Sequence, residues 1–116
     1  MRHRKKEIKI SSRFGHRKML LRNLASSLLF YEKMETTLTK AKLLQSYVEK
    51  LITLAKIDTI ASRRLATRKL THKTSVKKLF EVIGPRYKDR QGGYTSVYKS
   101  STRQGDRAKL ALISLL

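Results

Sequence analysis

The chain has 116 residues, one domain by length, and a domain of that size hides about 65% of the surface its unfolded chain exposes. Lys and Arg number 28 against 8 Asp and Glu, a formal charge of +20. The absence of cysteine excludes disulfides, thiolate catalysis and Cys-based zinc sites. No apolar run approaches the roughly 20 residues that span a bilayer, and the opening MRHRKKEIKI lacks the apolar stretch of a signal peptide.

These features read as a cytosolic protein whose cations repel one another in isolation. A polyanion that neutralises them stabilises the fold, and nucleic acid is the commonest one of sufficient charge density.

Residues 1–10 form a basic arm. Arg2, His3, Arg4, Lys5, Lys6 and Lys9 leave Ile8 among few apolar side chains, too little to fold alone. The arm reads as a segment that orders on phosphates, against the plainer reading of a frayed terminus. Residues 11–116 are expected to form one α+β domain.

The first helix opens after Ser11 or Ser12, either of which can cap it. Leu20, Leu21, Leu24, Leu28 and Tyr31 recur at three- and four-residue steps, the period of one buried helix face. Arg13, Arg17, Lys18 and Arg22 accompany its first half. Residues 33–38 read as a short extended piece with the β-favouring Thr36 and Thr37.

Thr39 is expected to cap a second helix over residues 40–56. Ala41, Leu44, Val48, Leu51, Ile52 and Ala55 form its apolar stripe, with Lys40, Lys42, Gln45, Glu49 and Lys50 outside it. Asp58 or Thr59 starts a third helix through Arg68. There Ile60, Ala61 and Leu65 are expected to face inward while Arg63, Arg64, Arg68 and Lys69 spread a basic patch, which the plainer reading leaves as wet surface.

A fourth helix over residues 75–83 is predicted to bury Val76, Leu79, Phe80 and Ile83, and to stop at a left-handed Gly84 followed by Pro85. A turn-rich linker with Arg86 and Arg90 leads to a strand over residues 94–99. A polar loop over residues 100–107 then precedes an apolar run, residues 109–115, expected to be a buried strand pairing with the previous one. The whole reads as about four helices on a small sheet of two or three strands.

Chemistry for an enzyme is scarce. His3, His16 and His72 lack the four-residue spacing that lets two imidazoles share a metal, and no two carboxylates suggest paired acid/base work. Asp58 reads as a cap and Glu49 as the partner of a lysine on its own helix. Phosphate-binding glycine motifs and nucleophile elbows are missing. His3 and His16 read as hydrogen-bond or stacking partners for RNA, or else as idle surface. Tyr94 and Tyr98 fall on one side of their strand by period-two counting. With Lys99 and Arg103 nearby they are placed to stack on unpaired bases, unless one or both are core.

Several stretches, in order, carry a resemblance: MRHRK, HRKMLLRNLASSL, TTLTKAKLLQSYVEKLITLAK, KLFEVIGPRY, GGYT and RQGDRAKLALISLL. Together they cover nearly the whole chain, which resembles the bacterial large-subunit ribosomal protein L seventeen family. The resemblance implies an α+β fold embedded in large-subunit ribosomal RNA near the exit of the peptide tunnel, in a bacterial or organellar ribosome. Its partners would be that RNA and neighbouring large-subunit proteins, with no enzymatic role, cofactor, metal, membrane or small-molecule substrate. Arg2, His3, Arg4, Lys5, His16, Arg17, Arg22, Lys40, Lys42, Arg64, Arg86, Arg90 and Tyr94 occupy positions matching its motifs. Tyr31, Ser96 and the ending ALISLL depart from the family pattern. The alternative from charge and size is a free nucleoid-type DNA-binding protein, although no helix-turn-helix or dimer-forming heptad is evident.

Overall fold

A computed structural model describes residues 13–116. The arm expected over residues 1–10 lies outside the described residues, as do Ser11 and Ser12. The elements run α1 (Phe14–Tyr31), β1 (Lys33–Thr37), α2 (Leu38–Ala55), α3 (Ile60–Lys69) and α4 (Lys73–Lys78). A π-helical turn (Leu79–Ile83) and one last α-turn (Gly84–Arg86) extend α4, and β2 (Thr95–Thr102) and β3 (Lys109–Leu115) close the chain. The result is the expected α+β domain, four helices on an antiparallel three-stranded sheet of order β1-β3-β2.

The second helix carries the core. All six residues of its apolar stripe, Ala41 through Ala55, are buried, and they meet Leu28, Leu29, Leu79, Phe80, Ile83, Ala111 and Ile113. It starts two residues early, with Thr37 rather than Thr39 at the cap position.

The last strand is central rather than an edge, pairing with β1 as well as β2. Only alternate residues, Ala111 and Ile113, are buried. Leu110 and Leu112 face the open side of the sheet, half-buried.

Two helix faces differ from the expected ones. In α1 the buried residues are Ala25, Ser26, Leu28 and Leu29, whereas Leu20, Leu21 and Leu24 are half-buried and Tyr31 is 71% exposed. Ser26 rotates the helix. Its hydroxyl accepts from the Thr71 N–H at 2.9 Å, and its carbonyl accepts from the buried Ser75 hydroxyl at 2.8 Å. Burying those groups unpaired would cost about 1–3 kcal/mol each.

In α3 the buried residues are Ser62 and Ala66, not Ile60, Ala61 and Leu65. Thr59 Oγ1 caps the helix by accepting from the Ser62 N–H, and Tyr47 donates to the Lys69 carbonyl at 2.7 Å. These bonds hold the small-residue face inward, and Ile60 is left 73% exposed.

Nor does the fourth helix stop at Gly84. Gly84 is right-handed at φ −53 and its N–H donates to the Leu79 carbonyl, one residue wider than an α-turn. That widening eases the Pro85 ring past the carbonyl four residues before it, where a regular α-helix would clash.

Glu32 ties α1, the sheet and the α4 extension together. It occupies the left-handed position after α1 at φ 65, where its N–H donates to Leu28 O and its carbonyl accepts from the Leu115 N–H. Its carboxylate takes both Arg86 Nη atoms at 2.9 Å and Lys78 Nζ at 3.0 Å. The hydrogen bonds from Arg86 first, then Lys78, lower the Glu32 carboxyl to about 2.

A depressed carboxyl stabilises the fold fully above its ordinary value of 4.5 and loses that contribution as pH falls through about 2. The group is a third exposed, so solvent screening leaves about 1–2 kcal/mol of the shift's nominal worth. Glu32→Gln is therefore expected to lower stability by that amount at pH 7 and to flatten the acid limb between pH 4.5 and 2, as urea unfolding at a series of pH values will read. Equal losses for wild type and variant across that window would remove the role assigned to this carboxylate.

Candidate nucleic-acid interface

The cations expected to bind RNA that lie among the described residues fall into four groups, on α1, on α3, around the sheet and on α2. The first half of α1 projects beyond the core. Arg13, His16 and Lys18 are exposed there and Arg17 is half-buried, its guanidinium 5.9 Å from the Phe14 ring centre. Arg22 is committed inward: Nη2 donates to Leu70 O at 3.4 Å, Nη1 reaches Met19 Sδ, and Nε is buried without a partner. Its charge lies near Tyr47, whose phenol burial nonetheless raises.

On α3, Arg64 and Arg68 stand one turn apart beside Ile60 and Thr67, around a shallow groove of about 400 Å³. Arg63 is spent locally, donating from Nε and Nη2 to Asp58 at 2.6 and 2.8 Å while lying 5.2 Å from the Phe80 ring centre. Asp58 is thus an ion-pair partner, and Thr59 alone is the cap.

The third group surrounds the sheet. Arg86 is held by Glu32, and Arg103 donates to Asp106 at 3.1 and 2.6 Å. With the Ala108 N–H, that bond lowers the Asp106 carboxyl to about 2 and braces the hairpin tip. Lys99 and Arg90 are exposed. The Arg90 carbonyl accepts from Lys56 Nζ and from the Tyr94 hydroxyl.

Tyr94 is 1% exposed, packed on Tyr87 at 5.3 Å between ring centres, with Lys56 Nζ 4.9 Å from its own. Its ring offers no face to a base, so the stacking expected of it is corrected. Period-two counting fails because Tyr94 precedes the strand, after Gly92 at φ 73 and Gly93 at φ 61 have turned the chain. Tyr98, 60% exposed on the open face across from Leu112, is the ring that remains available.

Lys40 and Lys42 lie on α2, half-buried and exposed. Lys42 begins an outer row with Ser46 and Lys50, the last of which charge counting passed over although the i, i+4 spacing was there to see. Glu49 accepts from the Thr95 hydroxyl at 2.9 Å rather than pairing with a lysine. Arg2, His3, Arg4, Lys5 and Lys6 lie outside the described residues. Among the described residues no group of three metal-ligating side chains assembles, and no helix is long and apolar enough to cross a membrane.

Comparison with known proteins agrees with the resemblance. The family model described as Ribosomal protein L17 matches residues 20–116. A protein named large ribosomal subunit protein bL17 from Erythrobacter litoralis is 49% identical over 116 residues, all of this chain and 83% of that one. Its namesake in Thermomicrobium roseum is 51% identical over 116 residues, 99% of its length. The one in Endomicrobium trichonymphae is 50% identical over 102 residues, 88% of this chain and 87% of that one. A family match over most of the chain and half-identity along all of it leave one conclusion: the chain belongs to the ribosomal protein L17 family.

Proposed function

We propose that this chain is a structural constituent of the large ribosomal subunit, in a bacterial or organellar ribosome, and acts by clamping phosphates of large-subunit ribosomal RNA. It works without catalysis, near the peptide exit tunnel as the resemblance implies, beside other large-subunit proteins. The carrying observation is the charge of +20 on a chain whose fold displays basic side chains on α1, on α3 and around the sheet, with His16, Lys18, Arg64, Arg68, Arg90 and Lys99 exposed. Arg13, His16, Arg17, Lys18, Arg64, Arg68, Arg90 and Lys99 are the cations we assign to RNA, with residues 1–10 as an arm that reaches RNA beyond the folded surface. Phosphate contacts position such a protein without reading sequence.

The test is binding of the purified chain to large-subunit ribosomal RNA across a salt series. With six to ten phosphates neutralised, affinity is expected to fall by roughly three to five decades between 50 and 200 mM salt. Binding indifferent to salt, equal affinity for duplex DNA, or failure to co-sediment with large subunits would overturn the proposal.

A further inference from the structure

A groove runs along the outer side of α2, about 480 Å³ in volume, lined by Lys42, Gln45, Ser46, Glu49, Lys50, Thr53, Gly92 and Tyr94. Six of these are a single stripe of α2 at three- and four-residue steps, and the opposite wall is the turn at Gly92 that leads into β2. The polar face of a core helix is ordinarily bare to solvent. Here the turn at Gly92 and the Tyr94 side chain border it on one side and make an open channel.

Resting on the RNA-binding reading above, we propose that this channel is a binding site for a single-stranded RNA segment of a few nucleotides. Lys42 and Lys50 take its phosphates, and Ser46 faces its sugar edge between them. Lys42 and Lys50 are two helical turns apart and about 12 Å along the axis, the reach of a few nucleotide steps. Both are exposed, and neither has an ion-pair partner among the described residues.

The one carboxylate in the lining, Glu49, is drawn to the start of β2, where the Thr95 hydroxyl and N–H donate to Oε1 at 2.9 and 3.4 Å. Gln45 Nε2 donates to the Thr95 carbonyl, which leaves its amide oxygen as an acceptor for a base or a 2′-hydroxyl. Donors and acceptors between two cations suit the unpaired edges and sugar hydroxyls by which single-stranded RNA is recognised. The volume is that of a small-ligand pocket, enough for part of a single strand.

The probe is a mixed-sequence single-stranded RNA of about ten nucleotides, used beside a hairpin duplex of the same composition, with the full chain throughout. Lys42→Gln with Lys50→Gln is expected to reduce the slope of log affinity against log salt by about 1.4 for the single strand, since each phosphate contact contributes about 0.7. The duplex slope should be unchanged. Ser46→Glu should weaken single-strand binding at least tenfold.

Glu49→Gln is expected to move the other way. It keeps an acceptor for Thr95 and removes the channel's negative charge, so single-strand binding should tighten roughly twofold. A merely structural role for Glu49 would not predict that sign. A photo-crosslinking side chain at position 46 should label the RNA within intact large subunits.

Arg64→Gln with Arg68→Gln is the reference. If that pair lowers the slope and the Lys42/Lys50 pair does not, the channel is not an RNA site and the proposed function stands. Wild-type binding without salt dependence sinks both. Labelling of a protein in place of RNA, or an unchanged or weakened Glu49→Gln, overturns the channel assignment alone.

Discussion

Replacing Gly84 by alanine is expected to lower the melting temperature by roughly 10 °C, a loss of about 2–3 kcal/mol. A Cβ at that position would stand 2.6 Å from the Ala55 carbonyl oxygen, 3.2 Å from its carbon and 3.2 Å from the Leu79 carbonyl oxygen. All three atoms are backbone, so no rotamer change relieves the clash. Either the end of α2 moves off the α4 extension or the π-turn rearranges. Both Ala55 and Gly84 are buried, and separating them opens the core between α2 and the α4 extension. The opposite sign is expected at Gly15, in the exposed first turn of α1, where an added Cβ meets nothing within 4 Å. Gly15→Ala should raise stability by about 0.5–1 kcal/mol through helix propensity. Thermal unfolding followed by circular dichroism reads both. A Gly84→Ala protein melting within about 2 °C of wild type would mean the two segments are not pressed together as described.

The parts of the fold that sequence made legible are those in which side-chain period and burial coincide. In α2 each of the six stripe residues is buried, because a helix with core on one face and solvent on the other repeats its apolar residues at the helical period. The strand over residues 109–115 was legible from its length and neighbours. Where helices meet through small polar groups, the period misleads. Ser26 is buried because hydrogen bonds across 45 and more residues, Thr71 to Ser26 and Ser75 to Ser26, orient α1, and Ser62 is buried with Ile60 exposed because the Thr59 cap and the bond from Tyr47 to the Lys69 carbonyl turn α3. No local pattern announces them. Gly84 and Pro85 read as a helix stop, since the close approach of Ala55 that requires a glycine comes from a distant segment.

The candidate interface was legible as a quantity of charge more than as a map. Arg63, Arg86 and Arg103 bear the same charge as Arg64 and Arg68 in the sequence, yet each is claimed by a carboxylate: Asp58 from five residues away, Glu32 from 54, Asp106 from three. Only folding decides which cations are retained. Tyr94 and Tyr98 differ likewise, four residues apart, one in the core and one on the open sheet.

Salt is expected to act with opposite signs on the free and the RNA-bound protein. The free chain carries +20, and its compact state is opposed by self-repulsion that screening relieves, the Debye length being about 10 Å at 0.1 M and shorter above it. Its melting temperature should therefore rise with sodium chloride. The four exposed or half-buried ion pairs weaken under the same screening, but each is worth about 1 kcal/mol or less, too little to reverse the trend. Chloride is preferred to sulfate, which strengthens apolar burial for separate reasons.

The complex behaves otherwise. Large-subunit ribosomal RNA at 1,000 times its dissociation constant stabilises the fold by about 4 kcal/mol, or roughly 15 °C at this chain length. That gain disappears as salt releases the phosphates, so the two melting curves should converge by about 0.5 M, the free one climbing and the bound one falling. Parallel curves, or a free protein that sodium chloride destabilises, would mean that the cations are balanced within the fold and do not require a polyanion.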